Sequence, residues 1–133
     1  MKIERLEGWR GPIIRTNFIP PKGFSALNFC GMLFIRKDYN IKRINAKTLN
    51  HESIHSEQMK EMGYIFFYIL YVIEWFIKMI LLFSSDKAYD ALASEQEAYK
   101  NDKDFTYLEN RKRWKWLKKV FSLNYKYRPK YNR

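Results

Sequence analysis

The 133-residue sequence is poor in residues that carry redox or metal chemistry, with one cysteine, Cys30, and two histidines. A single cysteine excludes a disulfide framework within the chain, so nothing in the sequence requires an oxidising compartment. The first twelve residues, MKIERLEGWRGP, lack the apolar segment of a secretory signal. We therefore expect a cytoplasmic protein, with membrane association as the alternative.

Acidic residues are scarce beside basic ones: 14 Asp and Glu against 25 Lys and Arg give a formal net charge of +11. This excess favours anionic partners or an anionic membrane surface. Part of it lies in the tail from Arg111 to Arg133, which begins with the basic and aromatic run RKRWKWLKK. No zinc-finger, helix-turn-helix or RNA-recognition signature accompanies that run, which argues against nucleic acid and leaves peripheral membrane contact open.

The sequence also lacks internal repeats and low-complexity linkers, and 47% of its residues are hydrophobic. These features predict one folded domain over residues 1–133. Glycine and proline interrupt residues 1–23, where we predict irregular structure. Residues 23–40 favour strands, with Asn28 and Gly31 as turn or bulge positions.

Helical patterns dominate the rest of the chain, so we predict a mostly helical α+β fold. Asn45 or Thr48 can cap the first helix, and Gly63 can end it. The four predicted helices cover residues 46–62, 64–83, 86–102 and 105–121.

The second predicted helix, YIFFYILYVIEWFIKMILLF, is almost wholly apolar and long enough to span a bilayer. Glu74 falls in its middle with Lys78 four residues later, and a carboxylate at mid-membrane is costly. We therefore favour a buried core helix and keep membrane contact as the alternative. Glu74 is predicted either to pair with Lys78 or to support the functional site from behind.

Both histidines lie in the stretch NHESIHSEQ, over residues 50–58. On a helix, His51 and His55 share one face about 6 Å apart, so both imidazoles can reach one Zn²⁺. Glu52 is turned about 100° around the axis and lies beside such an ion, where it can act as a general base. Two solvated helix histidines are the alternative interpretation.

A third ligand must be a carboxylate, because the chain has no third histidine and its cysteine lies upstream. The predicted helix over 86–102 offers Glu95 and Glu97. Glu95 falls on an apolar stripe and is predicted to be buried, whereas Glu97 falls on the face predicted to be solvated. The stripe also contains Ala88, Leu92 and Tyr99. A buried carboxylate requires a metal ion or a salt bridge, and we predict His51, His55 and Glu95 as zinc ligands.

An HExxH helix followed by a helix with an E-x-E-A motif resembles the gluzincin metallopeptidases. The resemblance is to compact forms: the minigluzincins and the catalytic cores of CAAX-type membrane proteases and β-lactam-sensor peptidases. Those families usually continue as E-x-x-A-D, whereas Tyr99 stands at the aspartate position here, which leaves the support of His51 or His55 unassigned. The chain is also similar to small uncharacterised bacterial proteins with the patterns N-H-E-x-I-H-x-x-Q, F-Y-x-x-Y-x-x-E-W and E-x-E-A-Y. These patterns match residues 50–58, 67–75 and 95–99.

The resemblance implies a short sheet packed on the helix that carries the histidines, with an extended peptide bound along an edge strand from residues 24–35. It implies zinc-dependent hydrolysis of a peptide or protein substrate, with Glu52 as the base. The oxyanion needs a further donor, for which Tyr99, Tyr107 and Arg111 are candidates by residue type alone.

Two other functions stay open. The chain is alternatively an inactive zinc-binding scaffold or regulator that binds a partner peptide, or a basic binder of nucleic acid or membrane surfaces. The sequence specifies neither substrate nor oligomeric state.

A few further side chains are assigned by position. Gln58 is predicted to pack or hydrogen-bond beneath the histidines, and Glu61 to be solvated. Cys30 is predicted in the core. In the last helix, Trp114 and Leu117 are predicted to pack, together with Val120 or Phe121.

Overall fold

A computed structural model describes residues 6–127 of the chain. The fold is α+β and mostly helical, as predicted. Residues 1–5 and 128–133, which include the end of the predicted basic tail, lie outside the described part. The strands are β1 (Ile13–Thr16), β2 (Leu27–Phe29) and β3 (Met32–Arg36). The α-helices are α1 (Ala46–Met62), α2 (Tyr64–Leu82), α3 (Ser85–Ala91), α4 (Ala93–Asn101) and α5 (Tyr107–Asn110), and two 3-10 helices cover Ile41–Arg43 and Lys115–Phe121.

The three strands form one sheet in the order β1-β3-β2. β2 and β3 are an antiparallel hairpin, and Cys30 and Gly31 form its turn with φ of 54° and 85°. Two-residue hairpin turns of this kind need positive φ at both positions, which glycine adopts without strain. The prediction of Cys30 in the core is wrong, because this residue is half-buried in the turn.

β1 lies in the segment that was predicted to be irregular, so that prediction is wrong for residues 13–16. Its partner is β3, to which it runs parallel with Ile13 opposite Leu33. A four-residue strand that pairs with a segment 20 residues later carries little local signal. Its ladder with β3 therefore decides its conformation.

α1 begins and ends where the sequence predicts. The Asn45 side chain accepts a hydrogen bond from the backbone N–H of Thr48 at 2.8 Å, which caps the first turn. Gly63 ends the helix with φ of 69°, and α2 starts at the next residue. α1 joins two core clusters: Leu49 packs with Leu33, Ile35 and Ile44, and Met59 packs with Phe67, Ala93 and Trp116. His51 and His55 therefore lie between the two clusters.

The single helix predicted over 86–102 is wrong, because the chain breaks at Leu92 into α3 and α4. The buried Lys78 ammonium donates to Glu74 Oε2 at 2.6 Å and to the Ala91 carbonyl at 2.7 Å. Glu74 Oε2 in turn accepts from the Ala93 N–H at 2.8 Å. The pair therefore caps the end of α3 and the start of α4, and this contact from α2 stabilises the break.

The prediction of α2 as a buried core helix is also wrong. Within α2, Phe67, Glu74 and Lys78 are buried, and most of the apolar side chains are exposed. By length and composition α2 can cross a membrane, with 17% of its apolar window buried inside the protein. Its large apolar residues that face outward are Ile65, Phe66, Ile69, Val72, Ile73, Phe76, Ile77, Ile80 and Leu81.

The helix predicted over 105–121 is likewise interrupted. α5 ends at Asn110, Trp114 adopts a left-handed conformation with φ of 66°, and a 3-10 helix follows. Glu61 of α1 binds this turn by accepting hydrogen bonds from the Trp114 N–H and from Trp116 Nε1. Trp116 is the buried tryptophan of this segment, and Trp114 is exposed, contrary to the prediction. Leu117 and Val120 pack on the cluster around Trp116 as predicted, and Phe121, the alternative to Val120, is exposed.

Candidate metal centre

Two histidines of α1 and one glutamate of α4 converge on a single point. His51 Nε2 lies 3.3 Å from Glu95 Oε2, and His55 Nε2 lies 3.2 Å from Glu95 Oε1. The two Nε2 atoms are 3.2 Å apart. One ligand atom of each side chain lies within 4.8 Å of the others, so the group can hold a metal ion. The three predicted ligands are thus brought together.

The outer nitrogen of each imidazole has its own partner. His51 Nδ1 lies 3.2 Å from Asp102 Oδ2, and His55 Nδ1 lies 2.8 Å from Gln58 Oε1. Because Gln58 Nε2 donates to the Ser94 carbonyl and to Glu97, the Gln58 oxygen must face His55. His55 Nδ1 is therefore the donor, which leaves Nε2 available to bind a metal.

Asp102 is the site residue that the sequence reading missed. It follows the last residue of α4 and lies seven positions after Glu95, a spacing that returns to the same side of a helix. Asn50 fixes this end of α4, because its side-chain amide donates to the carbonyls of Asp102 at 2.8 Å and Asp104 at 3.1 Å. The residue before His51 therefore positions the carboxylate that supports His51.

The polar atoms of the group fit a metal ion. Glu95 is 3% exposed, and its Oε2 makes no hydrogen bond to any residue between 6 and 127. Buried carboxylate oxygens are normally paired, and two imidazole nitrogens that face each other at 3.2 Å must share either a proton or a metal ion. Two nitrogens and a carboxylate oxygen are a donor set that divalent transition metals prefer.

The charges in the group depend on one another. Burial opposes protonation of His51, but the carboxylates of Asp102 and Glu95 outweigh it and raise the pKa of His51 to about 10. For His55, burial likewise opposes protonation, and Glu95 raises the pKa. Burial also opposes ionisation of Glu95, but the two imidazoles hold its pKa well below the usual range. By themselves the three side chains are a buried ionic group.

Glu52 follows His51 on α1 and is half-buried. Burial raises the pKa of its carboxyl, against the opposing effect of the two imidazoles. Its backbone carbonyl accepts a hydrogen bond from Asn28 of β2 at 2.8 Å, and Asn28 also donates to Ser56 at 2.9 Å. Asn28 thus lies in a strand instead of the predicted turn or bulge. It attaches the edge strand of the sheet to α1 next to the predicted base.

Glu97 is not solvated, so that prediction is wrong. It is 8% exposed and accepts hydrogen bonds from Tyr107 at 2.5 Å and from Arg111 at 2.8 and 3.0 Å. Arg111 also binds Glu61, whose side chain is buried instead of solvated as predicted. Arg111 comes 14 residues after Glu97 and covers a face that helical periodicity within 86–102 marks as open.

Among the candidate oxyanion donors, Tyr107 and Arg111 both donate to Glu97. Tyr99 differs, because its ring centroid lies 4.6 Å from that of His51. It therefore borders the ligand group and stays a candidate.

Comparisons with protein-family models, with curated proteins and with solved structures found no match. The function is therefore inferred from the geometry of the His51, His55 and Glu95 group and its supporting residues.

Proposed function

We propose that the chain is a zinc-dependent metallopeptidase of the gluzincin type, which hydrolyses peptide bonds in a peptide or protein substrate. The observation that carries this proposal is the convergence of His51 Nε2, His55 Nε2 and the Glu95 carboxylate, each within 3.3 Å of another member. Two imidazoles and one carboxylate are the protein ligands of a catalytic zinc site with an open fourth position.

Zinc is the preferred ion because of the donor set. Imidazole ligands suit zinc and other late transition metals, whereas calcium and magnesium prefer sites built from oxygen. When bound, zinc supplies a Lewis acid that makes water nucleophilic at neutral pH.

The residues around the ligands have separate roles in this proposal. Glu52 accepts a proton at its carboxylate from the attacking water and returns it to the leaving amine. Asp102 and Gln58 hold the imidazoles with Nε2 inward. β2 is an edge strand attached to α1 at Glu52, and an extended peptide can pair with its outer edge.

Metal content tests the proposal first. Protein purified without a histidine tag should contain about one zinc per chain by elemental mass spectrometry, as a three-ligand site requires. Glu95→Gln should lose the metal. Glu57→Gln is the matched control, since Glu57 lies on α1 with an exposed side chain and should keep it. Wild-type protein that takes up no zinc even after reloading would refute the proposal.

Burial favours a second candidate, a structural zinc site in a scaffold without activity. The side chains of His51, His55 and Glu95 are 13%, 8% and 3% exposed, which leaves little access for a substrate. Glu52→Gln separates the two functions, because loss of a general base lowers the rate of a peptidase by about 100- to 10,000-fold without removing zinc. A zinc-loaded wild type that cleaves no member of a peptide library would support the scaffold.

A further inference from the structure

The outward face of α2 is a continuous apolar surface. Exposed side chains recur every three to four residues, from Ile65 and Phe66 to Ile80 and Leu81, in pairs except at Ile69. Every exposed residue of α2 is aliphatic or aromatic. Phe83, which follows the helix, is 94% exposed. We call the exposed residues of α2, together with Phe83, the apolar face. Soluble proteins rarely leave a surface of this length open to water.

The two charged residues of α2 point the other way. Glu74 and Lys78 are 5% and 2% exposed and bind the backbone at the junction of α3 and α4. Tyr68 also faces the protein, where its hydroxyl accepts from the Cys30 N–H at 3.0 Å. α2 therefore turns its charges towards the protein and its apolar side chains outward, which is the reverse of a helix on the surface of a soluble domain.

We infer that the apolar face docks the protein onto an anionic lipid bilayer. In this arrangement α2 lies in the plane of the membrane, with its apolar face in the hydrocarbon and α1 and α3 on the water side. The inference is independent of the zinc site.

Charge complementarity favours an anionic bilayer as the occupant. The 3-10 helix Lys115–Phe121 packs on α4 and reaches the protein-facing side of α2, where Lys78 Nζ donates to the Lys119 carbonyl at 3.2 Å. This segment carries three exposed lysines and ends in Phe121, which is 94% exposed. An anionic lipid surface attracts such a basic segment and a chain with a net charge of +11. A second copy of the chain would bring another net charge of +11 to this face and be repelled.

The exposure pattern favours an orientation in the membrane plane. At 19 residues α2 is about 28 Å long, close to the thickness of a bilayer core. Only one side of it is open, because α1 and α3 pack on the other side. Helices that lie in the interface have this one-sided character, whereas a spanning orientation would draw the charged surfaces of α1 and α3 into lipid.

Flotation with vesicles tests the docking. Full-length protein should float with vesicles of equal parts phosphatidylcholine and phosphatidylglycerol, and less well with phosphatidylcholine alone. The double variant Ile73→Glu and Ile77→Glu should lower partitioning by at least about tenfold, since charges on an embedded face are costly. Phe18→Glu is the matched control, because Phe18 is 83% exposed outside α2 and should leave flotation unchanged.

Two results would overturn the inference. Wild type that stays unbound to the mixed vesicles is one, and equal flotation of wild type and the double variant is the other. If wild type does not float but forms a dimer that the double variant abolishes in sedimentation experiments, the occupant of the face is a second copy.

Depth measurements test the orientation. In a Cys30→Ser background, an environment-sensitive fluorophore is attached in turn to Phe66→Cys, Ile73→Cys and Ile80→Cys. A helix in the membrane plane predicts similar shallow depths at all three positions. A fluorophore at 73 that lies much deeper than those at 66 and 80 would indicate a spanning helix and contradict the in-plane orientation. Lys60→Cys, on an exposed lysine of α1, is the control that should stay in water.

Discussion

Glu95 and Glu97 lie two residues apart on α4, and both are buried, yet their surroundings differ in kind. Glu97 accepts hydrogen bonds from Gln58, Tyr107 and Arg111, so fixed donors satisfy both of its oxygens. Glu95 faces two imidazoles whose outer nitrogens bind elsewhere, and its Oε2 has no hydrogen-bond donor between residues 6 and 127.

The difference separates a carboxylate that fixed donors hold from one that can serve as a metal ligand. A carboxylate held by several fixed donors fastens the fold, here by tying α4 to α1 and to the segment that follows α5. A carboxylate opposite two inward-facing Nε2 atoms completes a set of electron-pair donors that can bind one cation. Gln58 connects the two, because its oxygen binds His55 and its nitrogen binds Glu97. The group around Glu97 therefore positions the ligand group.

The largest expected effect is the loss of stability when the cation that binds Glu97 is removed. Arg111→Ala leaves the buried carboxylates of Glu97 and Glu61 without their cation, which should lower the free energy of unfolding by about 3–5 kcal/mol. Urea denaturation measures the loss. Arg113→Ala, on an exposed arginine two residues away, is the control and should change stability little. A loss below about 1 kcal/mol for Arg111→Ala would mean that this group does not fasten the fold.

The next effect distinguishes Glu95 from Glu97 by how much zinc raises the free energy of unfolding of each variant. Zinc at about 1,000 times its dissociation constant should raise the free energy of unfolding of wild type by about 4 kcal/mol. Glu97→Gln should have a lower free energy of unfolding without zinc but keep most of the gain from zinc, because it retains all three proposed ligands. Glu95→Gln should gain little free energy of unfolding from zinc, because it lacks one of the three proposed ligands. Thermal unfolding with and without a chelator measures these increments, and equal increments in both variants would contradict the distinction.

A smaller effect tests the connection through Gln58. Gln58→Leu removes the acceptor of His55 and should weaken zinc binding by about 10- to 100-fold, measured by competition with a chelator. Asp102→Ala removes the partner of His51 without touching Glu97 and should weaken zinc binding similarly, with a smaller loss of stability. Unchanged affinity in both variants would show that the outer hydrogen bonds do not orient the imidazoles.

The smallest effect concerns pH. Burial opposes ionisation of Glu61, but hydrogen bonds from Arg111 and Trp116 outweigh it and lower the pKa of Glu61 below its usual 4.5. The ionised carboxylate thus stabilises the fold above about pH 4.5, and this contribution is lost as pH falls through the lowered pKa. Glu61→Gln should be about 1 kcal/mol less stable than wild type at pH 7 and converge with it in acid. A constant difference across pH would be the contrary result.

The parts of the fold that carry local signals follow from the sequence. α1 has the capping residue Asn45 and the terminating glycine Gly63, and its bounds match the predicted 46–62. Helical spacing alone sets His51 and His55 on one face, and the apolar stripe correctly marks Glu95 as buried. The position of Gln58 beneath His55 follows from the same periodicity.

The predictions that are wrong or missing concern features that depend on contacts between distant segments. The break at Leu92 is stabilised by Glu74 and Lys78 from the preceding helix, which no local pattern records. Glu97 falls on a face that Arg111 covers only after the chain has turned. Asp102 lies on the same side as Glu95 by helical spacing, but only the packing of α4 on α1 brings its carboxylate to His51 Nδ1.

The prediction that α2 is a buried core helix is wrong for a different reason. An apolar run of this length fits the core of a protein and a lipid layer equally well, because both exclude water. Composition and spacing cannot distinguish these environments. That most apolar side chains of α2 lie outside the core follows only from how Glu74 and Lys78 bind α3 and α4, and that requires the tertiary structure.

Glu74 has a consequence that reaches across the molecule. Its carboxylate belongs to α2 but caps the first N–H of α4, two residues before Glu95. A shift of α2 relative to α4 would therefore move the start of the helix that presents Glu95 to His51 and His55. Because coupling between two binding events is reciprocal, lipid that changed zinc affinity by this route would have its own affinity changed by zinc to the same factor. The membrane would then act as an effector of the metal centre.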